Sequence, residues 1–270
     1  MKVSPPAGVA LIVILLIVLV WAAGYPIAVS IGDKEFPKSF DKVYSALNVL
    51  FTALAFGGVI ATLMFQAEQS RVARREEVER SIYELFQIFT SADFQRVKDG
   101  AFRTLIAGVR DKDYGKFLAG KLLVAVNADL PESSTALLVE LDSKKAGKSK
   151  QELIDLDRAD RLMLDNVLNF FGMLAQRHSY STVVKHCDFA YDWWRPMLWL
   201  LGKLQHEAYD GSTEIQVHCS TPLIVETLKK LDKAYGHLPL NEHDDQAVWR
   251  YLSTHPKIKY FKLDSRYLAE

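Results

Sequence analysis

The sequence predicts an all-helical protein, an N-terminal two-helix transmembrane hairpin followed by a cytoplasmic helical bundle. Three observations carry that prediction. Two long uncharged apolar runs fall within the first 65 of 270 residues. Beyond them, apolar residues recur every three or four positions, the period of a helix with one buried face. Strand alternation is confined to KIKYFKL at 257–263 and the brief EIQVH at 214–218. The chain accordingly divides into a hairpin over 1–66, a bundle over 67–210 and a C-terminal helical extension or subdomain over 211–270.

The first run, AGVALIVILLIVLVWAA, covers Ala7 to Ala23 and stays apolar as far as Ile31. Crossing a hydrocarbon core of about 30 Å takes about 20 apolar residues. A span is therefore predicted over residues 7–29, with Trp21 and Tyr25 at interfacial depth and Pro26 kinking or ending it. The competing reading is a signal peptide cleaved near Ala22-Ala23-Gly24. The lone Lys2 before the run, the run's length and the second run behind it favour a span.

That second run, Val43 to Phe65, also lacks charge, and the polar stretch Gly32–Lys42 between the two reads as a short loop. Arg71, Arg74 and Arg75 follow within ten residues. Positive residues beside a span stay in the cytoplasm, which predicts a two-pass protein with both termini inside. Ala53, Gly57 and Ala61 form a strip of small residues along which another helix can approach closely. Two partners fit the strip: the first span of the same chain, or a second copy. No group charged at neutral pH interrupts either span, so a transporter's proton or ion pathway is not expected.

Residues 66–90 continue the second span as one helix, with Val78, Ile82, Leu85 and Phe89 spaced 4, 3 and 4 apart. Ser91 to Asp93 reads as a break and a new N-terminus for a helix through Arg110. Short helices are predicted over 114–125 and 133–142. SKKAGKSK, residues 143–150, reads as a solvated basic loop, or as a contact to anionic lipid if it lies near the membrane. The next helix carries the stripe Leu164, Val167, Leu168, Phe171, Leu174, widened by Leu162, Phe170 and Met173, which marks it as central. Its predicted antiparallel partner presents Trp193, Met197 and Leu201, with Pro196 delaying or kinking it. Val167, Leu168, Phe171, Leu174, Trp193, Met197 and Leu201 are the expected bundle core. Farther on, Ser220 or Thr221 with Pro222 would open a helix ending at Gly236, and a second would span 243–253. KIKYFKL, residues 257–263, reads as a short strand or an extended arm.

Composition excludes several functions. The 33 basic residues equal the 33 acidic ones, which leaves no surplus charge for general nucleic-acid binding. A hydrophobic share of 49% excludes wholesale disorder, and two cysteines exclude a disulfide scaffold. Phosphate-binding, dinucleotide, nucleophile-elbow and zinc-protease motifs are absent from the sequence. His186-Cys187 and His218-Cys219 offer four nominal zinc ligands, but adjacent side chains diverge and converge poorly on one tetrahedral ion. Glu242, His243, Asp244 and Asp245 have the residue types of a hydrolase, and equally those of a helix N-terminus with acidic caps. The aromatic residues Tyr191, Trp193, Trp194 and Trp199 read as core rather than as a nucleobase pocket. No catalytic residue, metal or cofactor is therefore assigned.

RVARREEVERSIYELFQIF, then SADFQRVKDGAFRTL, VLNFFGMLAQRH and YDWWRPMLWLLGKL follow the two runs in that order. This layout resembles a family of bacterial membrane-anchored helical domains of unknown function, similar to phage abortive-infection membrane proteins. The resemblance covers residues 43–205 and is most specific at Val167-Leu168-Asn169-Phe170-Phe171 and Trp194-Arg195-Pro196. Gly172 stands where the family commonly has an acidic residue. What the resemblance implies is a non-enzymatic effector of antiphage defence. Its cytoplasmic domain would respond to a protein partner or small signalling ligand, and its hairpins would oligomerise and perturb the lipid bilayer. The alternative expectation is a membrane-tethered scaffold without membrane activity of its own.

Overall fold

In the computed structural model the described residues are 36–123, 129–219, 223–238, 240–241 and 243–269, with positions 15, 16, 19 and 30. Among them every regular element is helical. The expected first span lies almost wholly outside the described residues, as do the cap candidates Ser220, Thr221 and Pro222 and the acidic Glu242. The chain separates into two compact units, residues 1–74 and 75–270.

The first unit is described chiefly by the helix α1, Phe36–Thr90, which runs on into the second unit's numbering. It begins within the stretch expected to be a loop. Pro37 is tolerated there because the first turn of a helix needs no intrahelical N–H, and no later proline interrupts the element. Residues from Leu47 onward are long and apolar enough, by length and composition, to cross a membrane. Thr52 and Thr62 donate their hydroxyls to the carbonyls of Asn48 and Gly58, each at 2.8 Å. Both polar groups are thereby satisfied inside an apolar segment.

In the second unit, Ile82, Leu85 and Phe89 of α1 are buried, with Val78 partly covered, so the predicted seam faces the core. Ser91 ends α1 and caps α2, Ala92–Arg110, its hydroxyl accepting from the Phe94 N–H at 3.2 Å. Then follow α3, Lys112–Lys121, α4, Thr135–Leu141, and α5, Lys150–Ala175. Ser149 and Glu152 close a capping box at the start of α5, whose hydrogen bonds hold the Glu152 carboxyl at about 2. α6, Ser181–His186, leads to α7, Tyr191–Asp210, and the remainder comprises α8, Thr213–His218, α9, Leu223–Tyr235, α10, Asp245–Thr254, and α11, Pro256–Tyr260.

The core is aromatic where α1, α5 and the start of α7 meet. Phe89 stacks on Phe170 at 5.0 Å between centroids and meets Phe189 edge-on at 5.7 Å. Phe171 touches Tyr191 and Trp194. Val167, Phe171, Leu174, Met197 and Leu201 are buried, whereas Leu168 is only partly so.

Several sequence-based expectations are corrected. α5 packs chiefly on α2, and α7 on α3, α9 and α2, so these two helices are not principal partners of one another. The small buried residues Gly100, Ala101, Thr104 and Gly108 give α2 the close approach that this arrangement needs. Leu162 and Met173 are exposed, so α5 is not apolar all round. Trp193 is not in the core but at the surface, at 36% exposure. EIQVH is helical, since only Ile215 is buried while Val217 is 78% exposed, and Ser212 caps it. KIKYFKL is neither strand nor arm: Pro256 opens α11, His255 caps it, and only Ile258 of its alternating set is buried. SKKAGKSK is not wholly solvated, because Lys145 is buried.

Candidate functional site

On the membrane-length segment, Ala53, Gly57 and Ala61 are exposed. A Cβ added at Gly57 or Gly58 would meet nothing within 4 Å among the described residues. Arg71, Arg74 and Arg75 are exposed as well. Arg71 lies 3.8 Å from Glu68, and Arg75 donates to Glu79 at 2.9 Å. Exposed pairs of this kind contribute well under about 1 kcal/mol each, so they leave the guanidinium groups available to water or headgroups.

The second unit contains three buried carboxylates, each held by several donors. Asp157 accepts from the Tyr114 hydroxyl at 2.5 Å and from Arg161 at 2.8 Å. Asp160 is held by Arg103 at 2.6 Å and Lys145 at 2.8 Å. Asp232 accepts from Tyr191 at 2.7 Å, from both Arg195 nitrogens at 2.7 and 2.9 Å, and from the Trp199 indole at 3.2 Å. Burial, then the carboxylate beside each, drives the Tyr114 and Tyr191 phenols well above their usual range. Each carboxylate thus ties neighbouring elements together through several donors, and burial keeps both phenols neutral. Among the described residues no three His, Cys, Asp or Glu side chains are grouped as a metal ion would need. Cys187 is buried and Cys219 partly exposed, both as free thiols. Asp244 caps α10 through the Ala247 N–H at 3.0 Å. His243 lies 3.4 Å from His206.

The surface feature best built to receive another molecule is an open groove of about 1170 Å³ between α2, α4, α7 and α11. Its floor is aromatic. Phe102 packs on Trp193 at 4.6 Å and edge-on to Phe261 at 5.5 Å, while Tyr260 at the mouth is 80% exposed. Its rim is basic. Arg110 grips Glu140 with two nitrogens, at 2.9 and 3.0 Å. The Lys257 ammonium sits 3.8 Å from the Trp193 ring centroid and donates to the Trp193 carbonyl at 3.4 Å. Burial lowers that lysine to about 8, and burial, then Lys257 and Arg195, lowers His255 as well. Lys262 completes the rim in the left-handed region at φ 62°. Counting Arg110, Lys257 and Lys262 against Glu140, the lining carries two net positive charges.

A second, smaller furrow of about 500 Å³ runs along α1, lined by Glu76, Glu79, Arg80, Tyr83, Glu84 and Gln87. These residues lie on the helix face opposite Ile82, Leu85 and Phe89, as the 3.6-residue period requires. Three carboxylates against one guanidinium make the lining acidic by two charges, and Tyr83 stands 53% exposed among them.

Sequence reasoning missed the groove because its walls come from four separated segments. It also missed the buried ion pairs, although one signal was present: Asp157 and Asp160 occupy the same stripe as Leu153, Leu164, Val167, Phe171 and Leu174, at alternating spacings of four and three. Comparison with family models, with curated proteins and with solved structures finds no match to this chain.

Proposed function

We propose that this protein is a two-pass, membrane-anchored effector without enzymatic activity. Its helical cytoplasmic part receives a signal from a protein partner or small ligand, and its hairpins assemble and perturb the bilayer. The observation that carries this reading is α1. One helix contains both a membrane-length apolar segment and the buried seam Ile82, Leu85 and Phe89. Exposed apolar side chains such as Phe56, Leu63 and Met64 are unfavourable in water at about 25 cal/mol per Å², and lipid removes that cost. The exposed small-residue strip and the arginines after it support assembly in the bilayer and a cytoplasmic body. A role in bacterial antiphage defence belongs to the same proposal and rests on the resemblance over residues 43–205.

The test exchanges both predicted spans for an unrelated two-helix hairpin and follows membrane potential with a voltage-sensitive dye on expression. The native chain is expected to depolarise cells and the exchanged chain to leave them polarised. Cells that stay polarised with the native chain overturn the effector reading and leave the tether.

A further inference from the structure

We propose that the aromatic, basic groove of the second unit receives the acidic Tyr83 face of α1 from a second copy of this chain. This rests on the reading of the protein as a self-assembling effector, and it deepens that reading by naming a contact outside the apolar segment. The two surfaces are complementary in charge: the groove lining carries two net positive charges, and the furrow lining two net negative ones, of which Glu79 is already met by Arg75, whereas among the described residues Glu76 and Glu84 are not. They are also complementary in character. Tyr83 projects from a row of glutamates, as an anchor for a floor of Phe102, Trp193 and Phe261, while Glu76 and Glu84 match the lysine rim.

The groove exceeds the usual size of a small-molecule pocket, which tops out near about 1,000 Å³, and a helix face suits its open form better. General nucleic acid is a poor occupant for a chain of zero net charge. Lys257 has no carboxylate within reach among the described pairs, although burial already disfavours its charge, so an incoming carboxylate would relieve it. Because the groove and the furrow are different surfaces, the contact closes as a dimer when two copies exchange it about a two-fold axis, and extends into a ring or an open array when it repeats head-to-tail.

The test uses full-length protein in detergent, with Cys219→Ser to remove the accessible thiol. One preparation carries Gln87→Cys, one turn from Tyr83 on the furrow, the other Tyr260→Cys. A disulfide catalyst is expected to link the two preparations when mixed and to link neither efficiently alone. Absence of the mixed product, or equal linking within one preparation, overturns the proposal. Lys257→Glu or Glu84→Lys is expected to cut the mixed yield about fivefold, and pairing the two reversed partners to restore it. Yields indifferent to both reversals overturn it as well, and leave the groove to another occupant. Cross-linking in detergent beside polarised cells sinks the effector reading alone; depolarised cells without the cross-link sink this contact alone.

Discussion

Lys145 donates its ammonium to Oδ2 of Asp160 at 2.8 Å, with both side chains nearly sealed from solvent. Arg103 takes the other oxygen at 2.6 Å. The pair joins the short turn Ser143–Lys145 to the middle of α5 and α2, so a stretch that reads as a basic loop contains an interior strut. Two cations around one carboxylate satisfy its oxygens, which is the condition under which a buried ion pair is tolerated.

Two lysines of the same octapeptide should therefore respond differently to truncation. Lys145→Ala strands a buried carboxylate with one partner and is expected to cost about 3 kcal/mol of unfolding free energy. Lys148→Ala removes an exposed pair with Glu152 and should cost less than about 0.5 kcal/mol. Urea titration of both variants decides it, and equal costs would contradict the assignment.

Asp232 organises three donors from α7. Asp232→Ala leaves the buried Arg195 guanidinium without its carboxylate and is expected to cost about 3–5 kcal/mol. Tyr191→Phe removes one hydrogen bond and should cost about 1 kcal/mol. Thermal melts followed by circular dichroism would show the ordering, and a mild Asp232 variant would refute it.

Residues 264–267 fasten the C-terminal part to α2 and α3. Asp264 donates its N–H to the Val109 carbonyl at 3.0 Å and accepts from the Lys112 N–H at 2.8 Å, while Tyr267 donates to the Gly108 carbonyl at 2.6 Å. Burial alone would raise the Asp264 carboxyl, but hydrogen bonds from Arg266 and from the Lys112 and Arg266 N–H groups outweigh it and hold the value at about 2 against an ordinary 3.8. A depressed value in the folded state means stability that is present above the ordinary value and lost as pH falls through the folded one. The stability difference between the native chain and Asp264→Asn should thus narrow between about pH 4 and pH 2. A constant difference across that window would remove Asp264 from the account.

Ala190 precedes α7 at φ 51°, in the left-handed region where a Cβ is strained. Ala190→Gly is expected to stabilise by up to about 1 kcal/mol, read as a higher urea midpoint. Lys262→Gly at φ 62°, just past α11, should do the same. Destabilisation by both would show that the left-handed turns are not strained.

Much of this organisation is legible in the residues. Helical periodicity finds the seam at Ile82, Leu85 and Phe89 and the stripe of α5, because burial on one face enforces the pattern directly. It fails at Val217 and at Tyr260, where brief alternation on an exposed segment looks like a strand without any sheet to receive it. Trp193 misleads for a related reason: an aromatic residue at helical spacing suggests core, yet the side chain covers one wall of a groove whose other walls come from distant parts of the sequence, at Phe102 before it and Phe261 after it. Pair identity is the least legible layer. Nothing local to Lys145 indicates that its counter-ion is Asp160 rather than its exposed neighbour Glu152.

The stitches made by Asp264 and Tyr267 also order events during synthesis. Ribosomes deliver α1 long before these residues, so the long helix can already be formed while Gly108, Val109 and Lys112 still lack their fasteners. A nascent chain stalled short of position 264 would hold an unlatched body. The body would then close only as the tail is translated, because Gly108, Val109 and Lys112 meet their partners last of all.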